Sequence, residues 1–323
     1  MAPRRRLPVN PDGLKAAVDG TRRHLRRPST FPLAGPTWPG TVPRPPVERA
    51  IGVDYDSDWA RSPAARVGRA LVQDLVAAPV IKVLATPTVR GLDRIAHLDE
   101  PVIFAANHTS HLDTPLLLSA IPERWRQELF VAGAADYFFD TKVKAATFAF
   151  LLNAVPIERQ RRSRVSLRRI SDLLDEGWSM LIFPEGGRSP DGWGQPHNPG
   201  AAWMAERSGR PIVPVHVEGT RRILAKGSNR LRPGRTHVTF GRPLRPAPGT
   251  NARHLAMEVE GAIAALADEL ENDWYTARRR AASRTTPSLS GPDGPSWRRA
   301  WALDPGGGDE RRRRAGTRWP WRT

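Results

Sequence analysis

Five short apolar runs separated by helix-like stretches constrain this chain more than any other feature of its sequence. The first is residues 102–107 (Val-Ile-Phe-Ala-Ala-Asn), followed by 129–133, 179–183, 211–217 and 237–240, each rich in β-branched or aromatic residues. Between them lie helix-prone segments at 115–121, 142–152, 165–176 and 201–207. Runs that are apolar on both faces are those of buried parallel strands, which need crossover helices to connect them. The alternation predicts an α/β domain with a mostly parallel sheet flanked by helices. Residues 251–271 close it as an amphipathic helix, with Leu255, Val259, Ala262, Ile263, Leu266 and Leu270 on one stripe and Asn251 as cap. Residues 64–86 are helix-prone and apolar with Pro79 interrupting them, an N-terminal helical element that either packs on the sheet or lies at a membrane interface.

The two ends differ from this middle. Residues 1–48 hold ten prolines and no sustained periodicity, so 1–60 reads as a largely disordered extension. Residues 274–323 carry twelve Lys/Arg against four Asp/Glu, and 61–273 carry 28 against 23, so the overall charge of +17 sits disproportionately in the ends. The expected organisation is a Pro-rich extension over 1–60, a folded domain over 61–273 and a basic tail over 274–323. The tail holds five of the eleven tryptophans (Trp274, Trp297, Trp301, Trp319 and Trp321) among its arginines, a mixture suited to an anionic headgroup layer. Nucleic acid attracts the same charge, but no nucleic-acid motif accompanies it and none is expected as a partner. No apolar window is long enough to span a bilayer, and no apolar segment follows the first arginines as a secretory signal would require. The absence of cysteine excludes disulfides, thiolate metal sites and cysteine nucleophiles.

The stretch Asn107-His108-Thr109-Ser110-His111-Leu112-Asp113-Thr114-Pro115 begins where a strand ends and stops where a helix starts. Open α/β sheets place ligands at such strand ends. On a regular helix His108 and Asp113 would lie about 140° apart, so they meet only if the loop between them turns. If it does, an Asp-oriented imidazole able to take a proton from a hydroxyl results. Two plainer readings compete: Asp113 as a helix cap, and the histidines as loop residues satisfied by backbone. A metal site from His108, His111 and Asp113 lacks a fourth ligand and a standard spacing, and none is expected.

A second cluster, Phe183-Pro184-Glu185-Gly186-Gly187-Arg188-Ser189, follows another predicted strand. Its glycines let backbone N–H groups approach an anion, and Arg188 offers a fork suited to phosphate. A third is Val155-Pro156-Ile157-Glu158-Arg159, leading into an arginine-rich segment through Arg169. A fourth, Ile212-Val213-Pro214-Val215, is by itself a core strand with an oddly placed proline.

Asn-His-x4-Asp, Pro-Ile-Glu-Arg, Phe-Pro-Glu-Gly-Gly-Arg-Ser and Val-Pro-Val, in this order and rough spacing, resemble the lysophospholipid/glycerophosphate acyltransferase family, and within it the bacterial 1-acylglycerol-3-phosphate acyltransferases. The resemblance covers about residues 64–245. It implies His108 as general base, Asp113 as its orienting partner, and Arg159, Glu185, Gly186, Gly187, Arg188 and Ser189 around the acceptor's phosphate. Gly187 stands where the family usually has threonine, and His197-Asn198-Pro199-Gly200-Ala201 lacks the family's usual preceding lysine.

The implied function is transfer of a fatty acyl group from acyl-CoA or acyl-carrier protein to the free hydroxyl of 1-acylglycerol-3-phosphate, giving phosphatidate. Another lysophospholipid or polar-lipid acceptor is the alternative. No cofactor is required beyond the acyl thioester, and N–H groups of the loop beside His108 would hold the oxyanion. A peripheral place on the cytoplasmic side of the cell membrane is expected. Without cysteine or a Gly-x-Ser-x-Gly elbow, direct transfer is favoured over an acyl-enzyme.

Overall fold

The computed structural model describes residues 52–158, 164–189, 191–226 and 230–290. Seven strands form one sheet in the order β1-β7-β6-β2-β5-β3-β4: β1 Pro87–Arg90, β2 Ile103–Ala106, β3 Leu129–Ala134, β4 Ala154–Ile157, β5 Ser179–Ile182, β6 Ile212–Glu218 and β7 Thr236–Phe240. Every pairing is parallel except β6 with β7. The flanking helices are α1 Pro63–Val72, α2 Ala78–Ala85, α3 Asp113–Ala120, α4 Lys142–Leu152, α5 Arg164–Asp175, α6 Gly200–Ser208, α7 Ala252–Glu271 and α8 Trp274–Ala282.

Alternation along β2 explains why helices cover both faces. Phe104 and Ala106 join Ile81 of α2 and Leu116 and Leu117 of α3 in one core. Ile103 and Ala105 point the other way, into a core with Ile170 of α5, Ala205 of α6 and Ile263 of α7. All four β2 residues are fully buried, so this strand is apolar without interruption. Strands β5 and β6 flank it in parallel, and the carboxyl ends of all three therefore open onto the same edge.

Two strands were not expected from the sequence. β1 alternates half-buried and exposed positions at the sheet's edge and has no apolar run. β4 follows α4 so closely that Phe148–Val155 reads as one apolar stretch; Asn153, in the left-handed region at φ 48°, ends the helix and starts the strand. The chain is also folded beyond the expected boundaries. Residues 52–60 include two short 3-10 turns, and residues 274–290, assigned to the tail, contain α8, capped by the Asp273 carboxylate, which accepts from Thr276 N at 2.9 Å. Arg280 pairs with the buried Asp268 at 2.7 Å, which fixes α8 against α7. The remaining parts of the 1–60 and 274–323 assignments lie outside the described residues.

The N-terminal helical element is continuous in direction but not in type. Between α1 and α2 the residues Gln73–Ala77 form a π-helical turn, and Pro79, which has no N–H to donate, sits in the first turn of α2. Its polarity is inverted relative to an ordinary surface helix. Arg69 is buried, donating to the carbonyls of Ala60 (2.7 Å) and Phe150 (3.5 Å), and burial pulls its pKa down to about 10. Gln73 donates to the Leu151 carbonyl at 3.1 Å. Val67, Leu71, Leu75, Val76, Val80 and Val83 are meanwhile exposed. Among the described residues no helix is long and apolar enough to cross a membrane.

A pH dependence of stability follows from the sheet itself. His216 on β6 is buried with no partner for Nδ1 among the described residues, and burial pulls its pKa down from 6.5 to about 4. The folded state then binds fewer protons than the unfolded chain between these values, so stability rises with pH from about 4 to 6.5 and levels above. The contribution is at most about 3 kcal/mol. Glu185, raised to about 7 by burial, works in the opposite sense between about 4.5 and 7. Thermal midpoints measured across pH 4–7 are expected to climb less in His216→Phe than in the wild type; equal slopes would contradict this.

Candidate active site

Three neighbouring strands deliver the site. β2 ends at Ala106, and the Asn107 side chain then continues its ladder: Nδ2 donates to the Val217 carbonyl at 2.8 Å and Oδ1 accepts from Val217 N at 2.7 Å. With sheet pairing completed by a side chain, the backbone is free to turn at His108. The turn closes on Asp113, the first residue of α3. Its Oδ2 accepts from Thr109 N (2.7 Å), Ser110 N (2.8 Å) and His108 Nδ1 (2.9 Å), while Oδ1 accepts from the Thr220 hydroxyl at 2.5 Å. Asp113 is the first residue of α3 and not its cap; its carboxylate closes the loop and partners the imidazole at once.

The His108 ring stacks on Phe183, the residue after β5, with centroids 4.0 Å apart and planes at 17°. An ionised Asp113 accepting from Nδ1–H leaves Nε2 with the lone pair, the form that accepts a proton. The N–H groups of 108, 109, 110 and 112 are all engaged, with Glu185, Asp113, Asp113 and the Ser110 hydroxyl respectively. These four are therefore committed to the loop's own structure.

The second cluster is built on Glu185, which is buried. Oε1 accepts from His108 N at 2.8 Å and Oε2 from Gln195 N at 3.0 Å, so the carboxyl braces the histidine loop against the loop after residue 191. Burial raises its pKa to about 7 against the opposing effect of those two N–H donors. Gly186 takes φ 73°, and a Cβ there would lie 2.8 Å from Asn198 Nδ2. Asn198 N in turn donates to the Pro184 carbonyl at 2.8 Å, which ties the His197–Ala201 block beneath the glycines. Gly187 accepts from Gln195 Nε2 at 3.4 Å. Ser189 is buried; its N–H donates to the His108 carbonyl at 2.8 Å, and its hydroxyl accepts from Gly192 N at 2.8 Å.

Arg188 lies with its guanidinium carbon 5.7 Å from the Tyr137 ring centroid, and its carbonyl accepts from Lys226 Nζ at 3.1 Å. Tyr137 also stacks on His111 and meets its Nε2 at 2.7 Å. Burial, and then the charge of Arg188, pull the His111 pKa down to about 4, so His111 is neutral at physiological pH. Arg159 lies outside the described residues. Tyr137 and Thr220 were not singled out in the sequence; each follows a strand's carboxyl end, and that position is the one signal available for them.

Beside these residues a cavity of about 510 Å³ runs between the N-terminal helical element, α3 and α4. His108 and His111 are in its wall, with Val76, Tyr137, Phe138 and Phe148. Its wall is mostly apolar, with the His108 and His111 rings and Arg126 among its polar groups.

Residues 86–218 match the family model described as Acyltransferase. Among curated relatives, a chloroplastic 1-acyl-sn-glycerol-3-phosphate acyltransferase of Brassica napus is 31% identical over 179 residues, covering 54% of this chain and 49% of that protein. A chloroplastic enzyme of the same description from Arabidopsis thaliana is 31% identical over 183 residues, 56% of this chain and 49% of that protein. The chain spans about half the length of these curated relatives. The crystal structure of the 1-acyl-sn-glycerophosphate acyltransferase PlsC from Thermotoga maritima shares the fold, with a TM-score of 0.51 and 24% identity over 67% of this chain and 83% of that one.

Proposed function

We propose that this chain transfers a fatty acyl group from an acyl thioester to the free hydroxyl of a 1-acylglycerol-3-phosphate, forming phosphatidate. The observation that carries the proposal is the His108 Nδ1 to Asp113 Oδ2 contact of 2.9 Å in the wall of an apolar cavity. His108 Nε2 takes the hydroxyl proton as the oxygen attacks the thioester carbonyl. Asp113 stabilises the imidazolium so formed, and collapse of the tetrahedral intermediate expels the thiolate, which is reprotonated. The cavity takes an acyl chain, and Arg188, with Arg159 by family resemblance, holds the phosphate so that the hydroxyl reaches His108. Acyl-CoA or acyl-carrier protein supplies the thioester.

The inverted N-terminal element supports peripheral attachment to a membrane. Its exposed aliphatic stripe has no place in water, whereas an acyl-chain layer accepts it. Such attachment opens the cavity, which Val72, Gln73 and Val76 help to line, to lipid substrates. The basic ends of the chain favour an anionic surface, and the cytoplasmic leaflet is the side proposed.

A panel of lysolipids with one acyl-CoA and one acyl-carrier protein, read by release of free thiol, tests the substrate class. Acceptors with a phosphate monoester are expected to turn over fastest. No turnover on any phosphate-bearing acceptor would overturn the proposal.

The phosphate clamp has its own expected signature. Arg188→Ala should raise the acceptor's KM by about one to two orders of magnitude, the effect of one lost charge-assisted contact, with the donor's KM little changed. Arg188→Lys should recover part of that loss, since an ammonium lacks the planar fork. Equal changes in both KM values would place Arg188 outside the acceptor site.

A further inference from the structure

We propose that Thr220 is a positioning residue for the His108–Asp113 pair, acting through the Asp113 oxygen that the histidine does not use. The proposal rests on the acid–base reading of that pair. The fold brings Thr220 there by a turn that requires glycine. β6 ends at Glu218, and Gly219 follows at φ 92°, where a Cβ would sit 2.4 Å from the Arg235 carbonyl oxygen. That turn carries the fully buried Thr220 under the start of α3. Its hydroxyl donates to Asp113 Oδ1 at 2.5 Å.

A hydroxyl has one proton. Because Thr220 spends it on Asp113, the 3.2 Å contact between the Thr109 and Thr220 hydroxyls has Thr109 as donor. The result is a directed chain from the half-buried Thr109 to the buried Thr220 and Asp113. Its consequence lies in the torsion of a carboxyl group, which is broad and roughly two-fold. Three donors hold Oδ2, but they converge on one atom and leave the carboxylate plane able to rock about it. Thr220, on Oδ1, fixes the plane and thereby the in-plane approach of His108 Nδ1. It also draws negative charge toward Oδ1, away from the oxygen that faces the imidazole.

The test compares wild type, Thr220→Val and Thr220→Ser as full-length proteins. Valine keeps the shape without the hydroxyl, and serine keeps the hydroxyl. With 1-acylglycerol-3-phosphate and whichever thioester donor supports turnover, Thr220→Val is expected to lower kcat by about 10–100-fold, as loss of a hydrogen bond to a charged group does. Both KM values should change by less than about threefold, and the acidic limb of the kcat/KM profile should move to higher pH. Thr220→Ser should restore both rate and profile. A merely structural role would leave the pH limb in place and would impair valine and serine alike; either result overturns the proposal.

A readout independent of turnover separates this claim from the acyl-transfer reading. The His108 imidazole titration followed by NMR should shift upward in Thr220→Val and match the wild type in Thr220→Ser. Identical titrations in all three proteins would overturn the positioning role even in an active enzyme. A shifted titration in a protein that transfers no acyl group would uphold the role and refute the substrate assignment.

Discussion

Replacing His108 by alanine is expected to lower turnover by about 10²–10⁴-fold, the usual contribution of a positioned general base. The reason is geometric. The ring is held on one side by Phe183, with centroids 4.0 Å apart, and at Nδ1 by Asp113, so one nitrogen is oriented and the other is left for the acceptor. The backbone N–H that binds Glu185 survives the substitution, and the loop is expected to keep its path. His111→Ala should cost far less, because His111 Nε2 is turned to the Tyr137 hydroxyl at 2.7 Å. Steady-state rates of the two variants check this. Comparable losses from both, together with a requirement for added metal, would favour metal ligation over acid–base chemistry.

Asp113→Asn is expected to lose turnover on a similar scale, about 10²–10⁴-fold, while keeping the fold. The amide oxygen can take the place of Oδ2 and accept from the 109 and 110 amides and from His108. The amide nitrogen then donates to Thr220, whose hydroxyl can accept as readily as donate. Geometry is kept and charge is lost, so an imidazolium at His108 has nothing to stabilise it. Because the two residues act as one unit, the double variant His108→Ala/Asp113→Asn should be no slower than the worse single variant. Multiplicative losses would show that Asp113 acts on the rate by a route other than His108. Thermal melting of each protein separates loss of fold from loss of chemistry.

The central strands were legible because strands buried on both faces are mostly apolar: β2 is apolar throughout, and β5 and β6 carry only Ser179 and His216 as buried polar residues. β1 and β4 were not, for opposite reasons: one is an alternating edge strand, the other merges with the apolar end of α4. The His108–Asp113 relation was readable because five residues, a helix-starting proline and a strand end confine both groups to one turn. Thr220 could not be found that way. Its contact with Asp113 spans 107 positions, and threonine after a glycine is an ordinary loop sequence. Glu185 shows the same limit: family resemblance implied a place at the acceptor's phosphate, and which groups its oxygens meet depends on two loops that only the folded sheet brings together. The engagement of the 108, 109 and 110 amides with Glu185 and Asp113 was likewise not readable from the sequence, since it depends on how the loop turns.

The most direct test follows the fate of a labelled acyl group. With 1-acylglycerol-3-phosphate and an acyl thioester carrying ¹³C at the carbonyl, offered as acyl-CoA and as acyl-carrier protein, labelled phosphatidate is expected in step with free thiol. In His108→Ala its formation should fall by about 100-fold or more. Absence of acceptor-dependent phosphatidate with both donors, or formation at the same rate without His108, would contradict the assignment.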